Sequence, residues 1–134
     1  MSDDELMQFN DSLERCRHDP SFVDHFYNLL MASSAEVAAK FGATDFRRQR
    51  RVLIASLYCL MLAAEGQPEG AAHLRRIATV HDRRHRDIAP DLYDQWLACL
   101  LQAVRDCDPK ATPAVEAAWR NMLSPGIAIM KAAY

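Results

Sequence analysis

The sequence has no surplus of charge of either sign. Its 16 basic residues are offset by 18 acidic residues, which leaves a formal net charge of -2. A chain without a positive field has no electrostatic basis for holding DNA, RNA or an anionic membrane surface. Nucleic acid is therefore a poor first hypothesis for the partner of this protein.

The chain also lacks a recognisable secretory signal and a long apolar run. It begins Met-Ser-Asp-Asp-Glu, whereas a secretory signal needs a basic start followed by an apolar stretch. The longest apolar stretch, residues 52–64, is interrupted by Ser56 and is too short to cross a bilayer. We therefore expect a cytoplasmic protein that makes no membrane contact.

The four cysteines lack the Cys-x-x-Cys spacing that is typical of zinc and redox sites. Two of them, Cys59 and Cys99, lie within apolar runs, and the other two are Cys16 and Cys107. Free Cys is among the most buried residue types. The pattern favours buried free thiols over disulfides or a zinc site.

Signals of β-structure are missing as well. No segment alternates apolar and polar residues, and there is no Asn-Gly hairpin and no internal repeat. Apolar residues instead recur three and four positions apart, in a chain of 134 residues that is 50% hydrophobic and 25% charged. A chain of this length and composition fits one folded domain with a real core. We predict a single all-α domain over residues 1–134, although periodicity alone fits a four-helix bundle equally well.

Capping side chains and prolines divide the chain into seven predicted helical segments. Asp19 before Pro20 combines a capping residue with proline at the first helical position, and Thr112 before Pro113 repeats this combination. The other segments begin near Ser2, Ser34, Thr44, Pro68 and Pro90. Pro125 lies inside the last segment, where it removes an amide donor, and a kink or break is predicted there.

A set of spaced residues runs through these segments. Tyr27 belongs to an aromatic pair in the second segment, and Phe41 follows fourteen residues later. Gln49 and Leu53 lie one turn apart in the fourth segment. The fifth segment closes on Leu-Arg-Arg-Ile-Ala-Thr-Val-His, which ends at His81. Single aromatics and histidines recur by chance, so the information lies in their order and register.

Tyr93, early in the sixth segment, and the Ala118-Trp119 pair in the last segment extend the set. Together these residues resemble the globin family, particularly the single-domain bacterial globins and the haem domains of flavohaemoglobins and globin-coupled sensors. The resemblance covers nearly the whole chain. It implies the globin fold, a 3-over-3 helical sandwich around haem, with haem b as the cofactor.

The resemblance assigns the iron ligand to His81, the last residue of the matched proximal helix. Haem iron held by a neutral imidazole keeps one axial position for a gas. His85 lies one turn further on, where it would contact a haem propionate or belong to a solvated charge run. His18, His25 and His73 match no role in the family.

Tyr27 matches the tyrosine that faces the bound gas, and Gln49 and Leu53 match the two positions that close over it. Bound dioxygen carries partial negative charge, so a donor in an apolar pocket stabilises it by roughly 1–3 kcal/mol. Two such donors imply tight, slowly released dioxygen. The alternatives are a core role for Tyr27 with its hydroxyl bonded elsewhere, and an exposed Gln49 among arginines.

Further residues are assigned to the walls of the haem pocket. Apolar walls keep water from the iron and slow its oxidation. The assigned residues are Phe41, Leu53, Ile77, Ile88, Tyr93 and Trp96. Trp96 either faces the distal edge of the haem and bonds the ligand through its indole N–H, or packs as plain core.

Two departures from the family bear on activity. Val80 and Tyr134 stand where flavohaemoglobins carry a lysine and a glutamate that make the proximal imidazole electron-rich. We also expect neither the reductase domain of flavohaemoglobins nor the signalling domain of gas sensors to be built into this protein. We therefore expect reversible binding of dioxygen, nitric oxide or carbon monoxide, for storage, scavenging or sensing, without turnover by the chain itself.

Two other functions stay open at this point. One is a nitric oxide dioxygenase or pseudoperoxidase that takes electrons from a separate reductase, and the other is a haem-free, globin-like regulator. The sequence is compatible with a monomer or a homodimer.

Overall fold

A computed structural model describes residues 3–41, 45–81 and 86–134. Within these ranges every regular element is an α-helix and no residue lies in a strand, which confirms the prediction of an all-α chain. The helices are α1 (Asp3–His18), α2 (Phe22–Ser33), α3 (Ala35–Lys40), α4 (Phe46–Ala64), α5 (Pro68–His81), α6 (Pro90–Cys107) and α7 (Pro113–Ala132).

Among the described residues, none of these helices combines the length and the apolar character that a membrane span requires.

Two of the predicted caps are confirmed by hydrogen bonds at the helix starts. The Ser34 hydroxyl accepts a hydrogen bond from the backbone N–H of Val37 at 3.1 Å, and the Thr112 hydroxyl accepts one from Val115 at 3.2 Å. Such bonds satisfy amides in the first turn that have no partner within the helix. Local side-chain chemistry therefore sets where α3 and α7 begin.

Two other predicted starts are wrong by one or two residues. The fourth helix is capped by Asp45, which accepts from the backbone N–H of Arg47 at 3.0 Å; Thr44, the predicted cap, lies outside the described residues. The second helix begins at Phe22 rather than at Pro20. Asp19 accepts hydrogen bonds from the amide and hydroxyl of Ser21 at 2.9 and 2.7 Å, which forms a separate turn before the helix.

The predicted break at Pro125 does not occur, because α7 continues through it as one helix. Pro125 and Asn121, whose carbonyl loses its usual amide partner, are both exposed residues, so the proline lies on the solvent side of the helix. The opposite side of the helix carries Trp119, Met122 and Leu123, all fully buried. Packing of this face holds the helix together across the proline.

Helix α7 is the centre of the packing. It contacts α1, α4, α5 and α6, while α2 packs against α6, α3 and α4, and α4 packs along α5. The indole of Trp119 meets Phe9 of α1 edge to face, with ring centroids 4.8 Å apart. These contacts hold α5 and α6, which carry the candidate site residues His81 and Tyr93, against one common core.

A group of four hydrogen-bonded side chains joins α1, the end of α6 and α7. Asp108, whose side chain is 0% exposed, accepts hydrogen bonds from Ser12 Oγ at 2.6 Å and from Arg15 Nε at 2.6 Å. The Ser12 hydroxyl in turn accepts one from Trp119 Nε1 at 2.9 Å. We refer to these four residues as the Asp108 clasp. Sequence reasoning did not predict it, because its members lie about a hundred residues apart.

The four cysteines are free thiols. Only Cys16 is fully buried, and Cys59, Cys99 and Cys107 are half-buried. The prediction of buried thiols therefore holds for Cys16 alone. The apolar runs around Cys59 and Cys99 extend beyond the buried face of each helix.

Gly70 allows α5 to approach α4 closely. A Cβ atom at this position would lie 2.7 Å from the backbone nitrogen of Ala63 and 2.8 Å from the backbone oxygen of Cys59. Backbone atoms of a packed helix do not move aside as a flexible side chain does. The α4–α5 crossing therefore depends on the missing side chain.

We expect Gly70→Ala to lower the free energy of unfolding by about 2 kcal/mol, a cost typical of overpacking in a rigid contact. Urea denaturation followed by circular dichroism measures it. Glu69→Ala, on the exposed side of the same turn, is the matched control and should change stability by less than about 0.5 kcal/mol. Equal stability of Gly70→Ala and the wild type would contradict the close approach of the two helices.

Candidate functional site

His81 is the last residue of α5, and its side chain turns toward α6. Its Nδ1 atom lies 3.2 Å from the hydroxyl oxygen of Tyr93, and the two ring centroids are 6.3 Å apart. The backbone N–H of Ile88 donates to the carbonyl of His81 at 2.8 Å. His81 is thus held through both its ring and its backbone.

Burial, and secondly the positive charge of Arg86, lower the pKa of His81 to about 4. The imidazole is therefore neutral near pH 7, which is the form that ligates metals. Burial also raises the pKa of Tyr93 to about 12, so that the phenol beside it is uncharged. When Nδ1 of His81 carries the ring proton, its N–H donates a hydrogen bond to the hydroxyl oxygen of Tyr93. The Nε2 atom then presents its lone pair for coordination.

Tyr27 lies in α2 and is 3% exposed. Its hydroxyl donates to the backbone oxygen of Gln49, in the first turn of α4, at 3.4 Å, which is near the upper limit of a hydrogen bond. Burial raises the pKa of Tyr27 to about 12, although the contact with Gln49 lowers it slightly. The hydroxyl therefore stays protonated and is only weakly engaged.

Tyr27 belongs to a cluster of five aromatic side chains whose rings contact one another. The ring of Tyr27 meets Phe26, Phe41 and Phe46 edge to face at 4.9, 5.7 and 5.7 Å between centroids. Phe41 and Phe46 stack on each other at 6.1 Å, and Phe26 meets Trp96 at 5.8 Å. We refer to Phe26, Tyr27, Phe41, Phe46 and Trp96 as the aromatic cluster.

Helix α6 links the His81–Tyr93 pair to the aromatic cluster. Tyr93 and Trp96 lie three positions apart, and residues at this spacing share one face of a helix. Tyr93 contacts His81, and Trp96 contacts Phe26. One helix face therefore carries Tyr93, a partner of the candidate ligand His81, and Trp96, a partner of Phe26.

The other predicted residues occupy varied positions. Leu53 is buried in the core, whereas Ile77, Ile88 and Gln49 are half-buried. The hydrogen-bond geometry joins the Tyr27 hydroxyl to the backbone oxygen of Gln49. His85, the predicted propionate contact, lies outside the described residues.

Two of the unmatched histidines have polar partners elsewhere. His25 pairs with Asp106 at 2.7 Å, and Nδ1 of His73 lies 3.3 Å from the guanidinium of Arg76. His18 is exposed at the end of α1. None of the three takes part in the His81–Tyr93 contact or in the aromatic cluster.

The side chains around His81 suit a metal ion that receives most of its ligands from a cofactor and not from the protein. Within the described ranges, no group of three or more His, Cys, Asp or Glu side chains is placed to hold a metal ion. A single neutral imidazole beside an aromatic, buried region is the donor set expected for an iron held chiefly by a macrocycle. The residues present therefore fit a haem with His81 as its protein ligand.

Sequence reasoning missed Phe46. It directly follows the capping residue Asp45, and its stacking partner Phe41 is only five residues earlier in the chain. Two phenylalanines on either side of a short connection are a signal for such contact. The sequence alone does not distinguish such a pair from two ordinary core residues.

Known proteins of one family share the sequence pattern and the fold of this chain. A sequence profile of the globin family matches residues 17–129. A solved structure from Pseudomonas aeruginosa PAO1, described as structurally highly homologous to a human hemoglobin, is 35% identical and superimposes with a TM-score of 0.92. The alignment covers 97% of this chain and 98% of the other. A search of curated proteins found no significant match. With the family profile over most of its length and this structural neighbour, the chain belongs to the globin family and adopts the all-α globin fold.

Proposed function

We propose that this globin binds haem b through Nε2 of His81 and holds dioxygen, or a similar diatomic gas, reversibly under the hydroxyl of Tyr27. The observation that carries the proposal is the environment of His81. Its imidazole is neutral, and its Nδ1 atom is hydrogen-bonded to the uncharged phenol of Tyr93. Haem iron with one imidazole ligand keeps its other axial position for a gas.

Tyr93 serves as the partner that orients His81. A hydrogen bond at Nδ1 sets the tautomer and the ring plane of a ligating histidine, and so directs Nε2. A carboxylate in this position would pull the proton and make the imidazole electron-rich, whereas the uncharged Tyr93 does so only weakly. This supports reversible gas binding over oxidative turnover, in line with the residues at positions 80 and 134.

Tyr27 supplies the hydrogen-bond donor on the other side. Its bond to the Gln49 backbone oxygen is long, at 3.4 Å, so that exchanging this partner for a bound gas costs little. The phenyl rings of Phe41 and Phe46 adjoin the tyrosine and give it apolar neighbours. In such surroundings a hydrogen bond to a partially charged ligand is stronger than it is in water.

The visible spectrum of the chain reconstituted with haem tests the proposal. We expect a Soret band and distinct ferrous spectra without gas, with dioxygen and with carbon monoxide. Absence of a Soret band after haem is added would remove the proposal and favour a haem-free regulator. Repeated consumption of nitric oxide in the presence of a cellular reductase would instead favour a nitric oxide dioxygenase.

We expect Tyr27→Phe to release dioxygen about tenfold faster or more, because the variant loses a donor worth roughly 1–3 kcal/mol. Stopped-flow displacement of dioxygen by carbon monoxide measures the rate. Tyr58→Phe is the matched control, since the Tyr58 hydroxyl bonds Glu14 and Arg17 of α1. An unchanged dissociation rate in Tyr27→Phe would assign the tyrosine to the core alone.

A further inference from the structure

A pocket of about 300 Å³ opens at the surface between α2 and the first turn of α4. Six residues line it: Asp24, Tyr27, Asn28, Met31, Phe46 and Arg50. Four come from α2, and two come from α4. Two of the six, Tyr27 and Phe46, also belong to the aromatic cluster. The pocket therefore lies directly against the proposed gas site.

Two aromatic rings, those of Tyr27 and Phe46, are among the groups that line the pocket. Tyr27 and Phe46 meet edge to face with centroids 5.7 Å apart, and Tyr27 itself is almost wholly buried. One ring thus separates the outside of the protein from the proposed ligand site. A small rotation of either side chain about χ1 or χ2 opens a passage for a diatomic molecule, and side-chain rotations are fast motions.

The mouth of the pocket is spanned by an ion pair. Arg50 Nε lies 2.7 Å from Asp24 Oδ1, with the two side chains 50% and 52% exposed. An ion pair this exposed contributes little to stability, so that it opens often. It presents charge to the solvent, while Met31 and Phe46 behind it are apolar and Met31 is conformationally adaptable.

We propose that this pocket is the access route by which a diatomic gas reaches the haem site, with the contact between Tyr27 and Phe46 as its inner gate. A charged mouth over an apolar wall admits small neutral molecules and disfavours ions, for which the apolar section carries a desolvation penalty. The proposal rests on the proposed function, since it requires a gas site beside Tyr27.

The test is to fill the pocket and follow carbon monoxide binding after flash photolysis of the haem-loaded chain. We expect Met31→Trp to slow association about tenfold, which corresponds to about 1.4 kcal/mol of added barrier. A blocked route raises the barrier in both directions, so dissociation should slow by the same factor and the equilibrium affinity should stay unchanged. A substitution that merely distorts the site would change affinity.

The chain offers a matched control. A second surface pocket, of about 320 Å³, is lined by residues 105, 111, 112, 113 and 116 and by no member of the aromatic cluster. We expect Ala111→Trp to leave both rates unchanged. Asn28→Trp places similar bulk at an exposed position on the rim of the first pocket and should also slow association, even if Met31→Trp fails to fold.

The outcomes separate the two proposals. Carbon monoxide binding with wild-type rates in a folded Met31→Trp or Asn28→Trp variant would overturn the access route and leave the gas-binding function standing. A change in affinity without equal changes in both rates would also overturn it. Failure of the wild-type chain to bind carbon monoxide would instead overturn the proposed function itself.

Discussion

A His81→Gly variant is expected to lose haem affinity at least about 100-fold, since removal of an outer-shell partner alone typically costs about 10–100-fold. Any haem that remains should show a changed ferrous spectrum, because no other described histidine contacts Tyr93 or the aromatic cluster. Titration of the purified chain with haem, followed by its Soret band, measures the affinity. Added imidazole should restore the wild-type ferrous spectrum by filling the space that the side chain leaves.

His18→Gly is the control for this variant. His18, like His81, is the last residue of its helix, but it is exposed at the end of α1. It should bind haem as the wild type does. Tyr93→Phe gives a graded intermediate: it keeps the ligand, loses the bond at Nδ1, and should bind haem about tenfold more weakly. If His81→Gly retains an unchanged ferrous spectrum, another residue holds the iron.

The largest expected effect on stability comes from the Asp108 clasp. Removing one partner from a buried, hydrogen-bonded charge pair typically costs about 3–5 kcal/mol, because the other charge is left uncompensated. Arg15 is partly exposed, so that water recovers part of this loss. We therefore expect Asp108→Asn to lower the free energy of unfolding at pH 7 by about 3 kcal/mol, as measured by urea denaturation.

The pH dependence identifies the charge as the cause. Burial acts to raise the pKa of Asp108, but the hydrogen bonds from Arg15 and Ser12 outweigh it and hold the pKa below its usual range. A carboxyl with a depressed pKa in the folded state contributes stability above its unfolded pKa of about 3.9. The advantage of the wild type over Asp108→Asn should shrink as the pH falls below about 4 and vanish below the folded pKa.

Asp106→Asn is the matched control for the clasp. Asp106 lies two residues earlier and pairs with His25 on the surface. Exposed pairs contribute little, so this variant should lose less than about 1 kcal/mol. A constant difference between wild type and Asp108→Asn from pH 7 to pH 2 would mean that shape, and not charge, makes residue 108 important.

Much of the fold was predictable because helix boundaries depend on neighbouring residues. Ser34 and Thr112 cap the helices that follow them with bonds that span three residues. The two wrong helix starts also depend on neighbouring residues. Asp45 caps α4, and Asp19 binds Ser21 instead of starting α2. At Pro125 tertiary packing outweighs the tendency of proline to break a helix, since the buried face of α7 keeps the helix continuous.

The candidate site was predictable only as a set of residue types in order. The resemblance selected Tyr27, Phe41 and His81, but it assigned no partner to the hydroxyl of Tyr27 or to Nδ1 of His81. Those partners are the backbone of Gln49 and the phenol of Tyr93. Each lies on another helix, so that neither spacing nor propensity carries any information about the contact.

The sequence by itself determined that the chain is helical, where most helices begin, and which histidine resembles a proximal ligand, because capping, periodicity and motif order act over short distances along the chain. Tertiary structure alone decided which atoms meet. It placed Phe46 against Tyr27, both rings among the residues that line a surface pocket, and Asp108 within hydrogen-bond distance of Arg15. Such contacts are decided when all the helices pack together, since the free energy of each depends on burial that no single segment achieves alone.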